Sequence, residues 1–254
     1  MTRIKAGLAC GLVIALSGCS ALQSMDPNAA VSAGTTLFKA ATLSDSDIVT
    51  LSNDACKASD AQSKVAASNS AYGKRLTKVM GGFGDMTLNG QKINYKVYET
   101  SDVNAWAMGN GCVRVYSGLM DKMSDDELRG VIGHEMGHVA LGHSKKAMQA
   151  AYTVSAARTA AGASGNSVAS ALSTSQLGDL TEKFINAQFS QSQESAADDY
   201  SFDLLTKKGM NREGLVTAFQ KLAAMDGGQS SMLSSHPSSP SRAQHIQNRI
   251  KKEG

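Results

Sequence analysis

Charge of one sign is what this 254-residue chain has least of, with 25 Lys and Arg standing against 22 Asp and Glu. Setting aside the first 18 residues, which hold Arg3 and Lys5 and no acid, leaves 236 residues with 23 basic and 22 acidic groups. Aromatic residues are scarce as well, at 5%. Without a basic footprint or a supply of stacking rings, nucleic acid is not an expected partner. Long apolar runs are also missing. Ala6 to Leu16 is too short for a permanent membrane anchor, and Ala147 to Ser175, dominated by Ala, Ser, Gly and Thr, is too polar and interrupted.

The four cysteines are few enough to be placed one by one. Arg3 and Lys5, the apolar run, and then Leu16-Ser17-Gly18-Cys19 resemble a bacterial lipoprotein signal, with cleavage before Cys19 and lipid attached to it. The alternative is an ordinary secretory signal that ends near a cysteine. Ser20 after the cysteine resembles the outer-membrane sorting form of such signals. Residues 1–18 are thus read as signal, 19–42 as a lipidated tether of small polar residues, and 43–254 as one domain. Cys10 leaves with the signal. Cys56 and Cys112 remain, and in an oxidising periplasm they are expected to pair, the alternative being two separate buried thiols.

Patterning along the domain predicts an α+β, mainly helical fold. Helices are expected from Ser44 to about Ser59 and from about Asn69 to Met80. A small sheet follows. Asn89-Gly90 signals a hairpin, and 91–99, 103–108 and 112–116 read as three short strands of an antiparallel sheet. Segment 147–175 reads as one or two close-packed small-residue helices, or else as a lid. One long helix is expected from about Thr181 to Lys208, closed by Gly209, then a helix capped by Asn211 and a last one opening at Ser239-Pro240.

The chemistry is concentrated in His134-Glu135-Met136-Gly137-His138. Two histidines four apart on a helix are rotated by about 40° and can reach one metal ion from the same face. A glutamate beside them can take a proton from water that the metal acidifies. Ser124 and Glu127 form a capping box, and Leu128, Val131, Ile132, Met136 and Val139 recur at helical spacing, so a helix is expected from Asp125 to Leu141. Gly130, Gly133 and Gly137 inside it predict another backbone in close approach.

Two histidines do not complete a catalytic zinc site, which usually has three protein ligands. A third histidine in the extended form of the motif would fall at 144, with glycine at 141; the chain has Ser144 and Leu141. His143, about 140° round the same helix from His138, reads as a surface or helix-end residue. Glu194 is the best candidate, with Glu182 and Glu213 also available. Asp198 lies one turn on, where it can bond a ligating imidazole, or it belongs with Glu194 to a solvated acidic face. His245 reads as surface.

The motif helix, Glu194-Ser195-Ala196-Ala197-Asp198, His236-Pro237 and Arg242 together resemble the HtpX-type gluzincin metallopeptidases. The Cys19 signal and Val103-Asn104-Ala105-Trp106-Ala107 are similar to the outer-membrane lipoprotein branch of that family. The resemblance implies one zinc ion per chain on His134, His138 and Glu194, with Glu135 as the catalytic base. It implies that His236 approaches the metal, donating to the oxyanion or covering the open position, and that Arg242 braces that loop or the ligand carboxylates. It further implies an endopeptidase that clears misfolded or unfolded envelope proteins from the periplasmic face of the outer membrane. An envelope assembly machinery is a further possible partner. The competing class is a periplasmic chaperone or assembly-scaffold lipoprotein with a latent or structural zinc site.

Overall fold

The computed structural model describes residues 42–160, 172–225, 230–237 and 240–253. The signal, Cys19, nearly all of the tether and the middle of segment 147–175 lie outside them. The elements in order are α1 (Asp45–Gln62), α2 (Ala71–Gly81), β1 (Thr87–Leu88), β2 (Gln91–Lys92), β3 (Asn94–Tyr98), β4 (Ala105–Ala107), β5 (Cys112–Tyr116), α3 (Ser117–Lys122), α4 (Asp125–Ala140), α5 (His143–Ala160), α6 (Thr174–Ile185), α7 (Gln191–Lys207), α8 (Glu213–Ala224), α9 (Met232–Ser235) and α10 (Pro240–Glu253). The fold is α+β and mainly helical. Among the described residues no helix is long and apolar enough to cross a membrane.

The sheet departs from expectation. Asn89 (φ 50°) and Gly90 (φ 80°) do make a hairpin, but it closes a separate two-stranded ribbon, β1 with β2. The expected strand 91–99 breaks at Ile93, and its second half, β3, joins a different sheet. That sheet is mixed, not antiparallel. β4 and β5 are an antiparallel hairpin turned at Gly111 (φ 78°), whereas β3 runs parallel to β5, in the order β3-β5-β4. The reason lies in burial. Cys112, Val113, Arg114 and Val115 of β5 are all at most 1% exposed, so this strand takes the centre, while β3 opens with exposed Asn94.

Alternation along the strands divides the interior in two. Val97, Ala105, Ala107, Val113 and Val115 face α4, where they meet Leu128, Val131, Ile132 and Met136. Tyr98, Trp106 and Cys112 face the other way, onto α1, α5 and α6. Each aliphatic side chain fully buried in this way contributes about 1.5–3 kcal/mol. Cys56 and Cys112 form a disulfide that ties α1 to β5. Beside it the buried Arg114 reaches from β5 to Asp60 on α1, at 2.8 Å from Nε and 3.0 Å from Nη2.

Helix α4 starts at the Ser124–Glu127 capping box, and Lys221 holds Glu127 at 2.7 Å. Its glycines admit two neighbours. A Cβ on Gly130 would stand 2.7 Å from Cα of Leu215 on α8, and one on Gly133 would stand 2.5 Å from Oγ of Ser201 on α7. The long helix expected over 181–208 is instead two, α6 and α7, separated by residues 186–190. A new capping box, Ser190 with Gln193, nucleates α7. Its C-terminal end is as expected, at Lys207 with Gly209 at φ 63°.

Candidate metal centre

Helix α4 turns His134 and His138 to one side, with their Nε2 atoms 3.1 Å apart. Helix α7, drawn in by the glycines, places Glu194 opposite them. Its Oε1 lies 3.3 Å from His138 Nε2 and its Oε2 lies 3.5 Å from His134 Nε2. His236, at the end of α9, brings Nδ1 to 3.0 Å from Glu194 Oε1 and 3.3 Å from His134 Nε2. One ligand atom from each of these four residues lies within 4.8 Å of the others, and all four residues are buried. Glu182 and Glu213, the other candidates for third ligand, are exposed.

These residues fit a zinc ion. With bonds of about 2.0–2.1 Å, neighbouring corners of a tetrahedral site lie about 3.3 Å apart; the five contacts above, which use both oxygens of Glu194, run from 3.0 to 3.5 Å. The buried Oε2 of Glu194 has no hydrogen bond aligned on it, although Nη1 of Arg242 is 2.6 Å away. Oε1 of Glu135 is likewise buried and without a hydrogen bond; His236 Nε2, at 3.5 Å, is its neighbour.

Around this cluster stands a layer that orients it. Asp198, one turn beyond Glu194, meets Nδ1 of His134 at 2.8 Å. Arg242 donates two hydrogen bonds to Asp198, from Nε at 2.6 Å and Nη2 at 2.7 Å, and a third to the Pro237 carbonyl at 3.1 Å. Its guanidinium also stacks on Phe219, 4.6 Å from the ring centroid. One arginine therefore touches the loop that carries His236 and, on α7, both Glu194 and Asp198.

The electrostatics follow from this packing. Burial holds Glu135 above the usual carboxylate range, against the pull of His236 and His134. Burial also holds His138 well below the ordinary histidine value. In Glu194 burial pushes the same way as in Glu135, but hydrogen bonds from His138 and His236 outweigh it and keep the group ionised. His236 is raised because Glu135 and Glu194 overcome its burial.

Two contributors were not expected from the sequence. His143, read as surface or helix end, does open α5 but is only 8% exposed, and its Nδ1 lies 3.1 Å from Nδ1 of His138. The angular argument failed because it continued α4 past its end. Gly142, at φ 74°, breaks the helix and swings residue 143 back; a glycine after the last periodic residue was the available signal. Phe189, in the break between α6 and α7, covers His138 with ring centroids 3.9 Å apart. His245 is half exposed and pairs with Asp199 at 2.8 Å. Beside the cluster a cavity of about 300 Å³ is lined by Phe219, Leu222, Met232, Leu233, His236 and Ala243, among others.

A model of peptidase family M48 matches residues 75–250, which include every residue of the cluster. The chain is 55% identical over 236 residues to metalloprotease YcaL of Escherichia coli, covering 92% of each chain. It is 52% identical over 248 residues to metalloprotease LoiP of the same organism, covering 97% of this chain and 96% of LoiP. Similarity to protease HtpX of Shewanella baltica is 39% over 83 residues, 29% of each chain. With its buried His/Glu cluster at the centre of the matched region, the chain belongs to peptidase family M48 and is a metallopeptidase.

Proposed function

We propose that the chain is a zinc-dependent endopeptidase of the bacterial cell envelope that hydrolyses misfolded or unfolded envelope proteins. The observation that carries the chemistry is the set of four buried ligand atoms within 4.8 Å of one another, beside a carboxylate oxygen that no hydrogen bond reaches. His134, His138 and Glu194 would hold the metal, and Asp198 and Arg242 would orient them. A zinc ion held there supplies Lewis acidity, polarising a carbonyl and acidifying water. Glu135 would take the proton of the attacking water and pass it to the leaving amine.

A substrate would lie extended along β4, the outer strand on the α4 side, bound mainly through backbone hydrogen bonds. That mode tolerates varied sequence, as unfolded clients require. The start of β4 is covered by the loop that carries His236: Ser230 Oγ and Met232 N–H both donate to the Val103 carbonyl. Withdrawal of this loop would expose the strand and the metal together. The cavity beside His236 would then receive an apolar side chain next to the scissile bond.

Placement at the outer membrane rests on the lipoprotein signal and on Ser20 after Cys19. Glu135→Gln in the purified mature chain tests the chemistry. Zinc stoichiometry should hold while cleavage of an unfolded protein falls by several orders of magnitude, and undiminished cleavage would end the proposal.

One observation favours a second reading. His236 stands at the fourth corner, and a closed set of four protein ligands is the mark of a structural site. A periplasmic chaperone or assembly scaffold with a latent zinc site would present this arrangement. Chelator-sensitive proteolysis by the purified chain decides between the two.

A further inference from the structure

His138 turns one ring nitrogen toward the cluster and the other toward His143. Its Nε2 faces His134 and Glu194, while its Nδ1 meets Nδ1 of His143 at 3.1 Å, the rings crossing at 63°. Both side chains are buried, at 1% and 8% exposure. Two neutral imidazole nitrogens at this separation share one proton, so one donates and the other accepts.

The ligand role decides which. A nitrogen that binds a metal needs its lone pair, so a neutral His138 ligating through Nε2 carries its proton on Nδ1. His143 must then accept at Nδ1 and keep its own proton on Nε2. From this geometry we infer that His143 is the positioning residue for His138, fixing its tautomer and the direction of its ring, as Asp198 does for His134. The inference rests on the ligand set proposed above.

The two supports differ in charge, and the surroundings explain the difference. Asp198 is matched by Arg242. The interior already contains Glu135 and Glu194, and Arg242 is the cation beside them. A second supporting carboxylate at position 143 would add another buried negative charge, which is costly to take out of water. A neutral acceptor avoids that. The chain supplies one by ending α4 at Gly142 in the left-handed region, which places residue 143 beside the ring it left five positions earlier. Phe189 closes on His138, so the ring is held by stacking as well as by its hydrogen bond.

The test compares His143→Leu, which has no acceptor, with His143→Asn, whose amide oxygen stands where Nδ1 was. Zinc affinity is measured by competition with a chromogenic chelator, and the thermal midpoint of each metal-free chain is recorded beside it. His143→Leu should weaken zinc by about 10–100-fold with the metal-free midpoint near wild type, and His143→Asn should recover most of that loss. Long-range ¹⁵N NMR of the zinc-loaded wild-type chain should find the His138 proton on Nδ1 and the His143 proton on Nε2. Zinc affinity within threefold of wild type in His143→Leu, equal losses in both variants, or a His143 proton on Nδ1 would overturn the inference. Substitution of His138 by alanine separates this from failure of the ligand set. If that variant binds zinc as wild type does, the ligand set falls and this inference falls with it; if it loses zinc while His143→Leu does not, only the inference falls.

Discussion

Nε2 of His236 stands 3.5 Å from Oε1 of Glu135 while Nδ1 of the same ring stands 3.0 Å from Oε1 of Glu194. One imidazole thus lies between the group that would move protons and a group that would hold the metal. On the proposed ligand set, His236 would stand where a substrate carbonyl has to approach. His236→Ala is expected to retain zinc and to cleave an unfolded protein severalfold faster than wild type. A fall in turnover would instead put His236 among the groups that stabilise the reacting oxygen.

The glycines of α4 make a graded prediction. Alanine at 130 would press on the backbone of Leu215, with Cα at 2.7 Å and N at 2.9 Å, whereas alanine at 133 meets mainly the side chain of Ser201. Backbone cannot rotate away and a serine hydroxyl can. Gly130→Ala should therefore destabilise more than Gly133→Ala, with overpacking costs of about 1–3 kcal/mol at the upper and lower ends respectively. Chemical denaturation of both variants checks the order.

The cystine closes a loop across a sequence separation of 56 residues. Chain entropy for a loop of this size corresponds to about 4 kcal/mol. Cys56→Ser with Cys112→Ser should lower the stability of the purified domain by roughly that amount, read from urea unfolding. Zinc stoichiometry should be unchanged, because neither cysteine touches the metal cluster.

Acid should weaken the same region. Burial raises Asp60, but hydrogen bonds from Arg114, Lys96 and Tyr98 outweigh it and leave the carboxyl below its ordinary value in the folded state. A group so lowered contributes stability above the unfolded carboxylate pKa of about 3.9, and that contribution is lost as pH falls through the folded value. Asp60→Asn should accordingly show a shallower loss of stability below pH 4 than wild type. Parallel acid titrations of the thermal midpoint give the comparison.

How legible all this was depends on how local each signal is. Helix α4 was readable because its cap, its apolar spacing and its glycines all lie within seventeen residues of sequence. The glycines even announced the neighbours later found in Leu215 and Ser201. The order β3-β5-β4 was not readable, since Ile93 carries no mark that it separates two sheets and pairing depends on which strand is buried on both faces. The break at 186–190 was readable in principle from Ser190 and Gln193, a capping box hidden inside an apparently continuous helical pattern. His134 and His138 could be chosen by ligand chemistry, which left Glu194 beside Glu182 and Glu213 until resemblance decided for it, and His236 and Arg242 were reached through resemblance alone. His143 was lost to a single glycine, because one φ of 74° at Gly142 invalidates any angular extrapolation beyond it.

His134 and His236 meet across 102 residues of chain. Helix α4 can begin to form from its own cap and periodicity, but its two histidines remain an incomplete pair until α7 has docked on its glycines and the loop before α10 has folded over them. The hydrolytic centre therefore exists only when these distant elements are assembled together. An immature copy of this protein, itself an unfolded polypeptide of the kind proposed as substrate, has no assembled centre with which to cut its siblings, and competence arrives only with the native state.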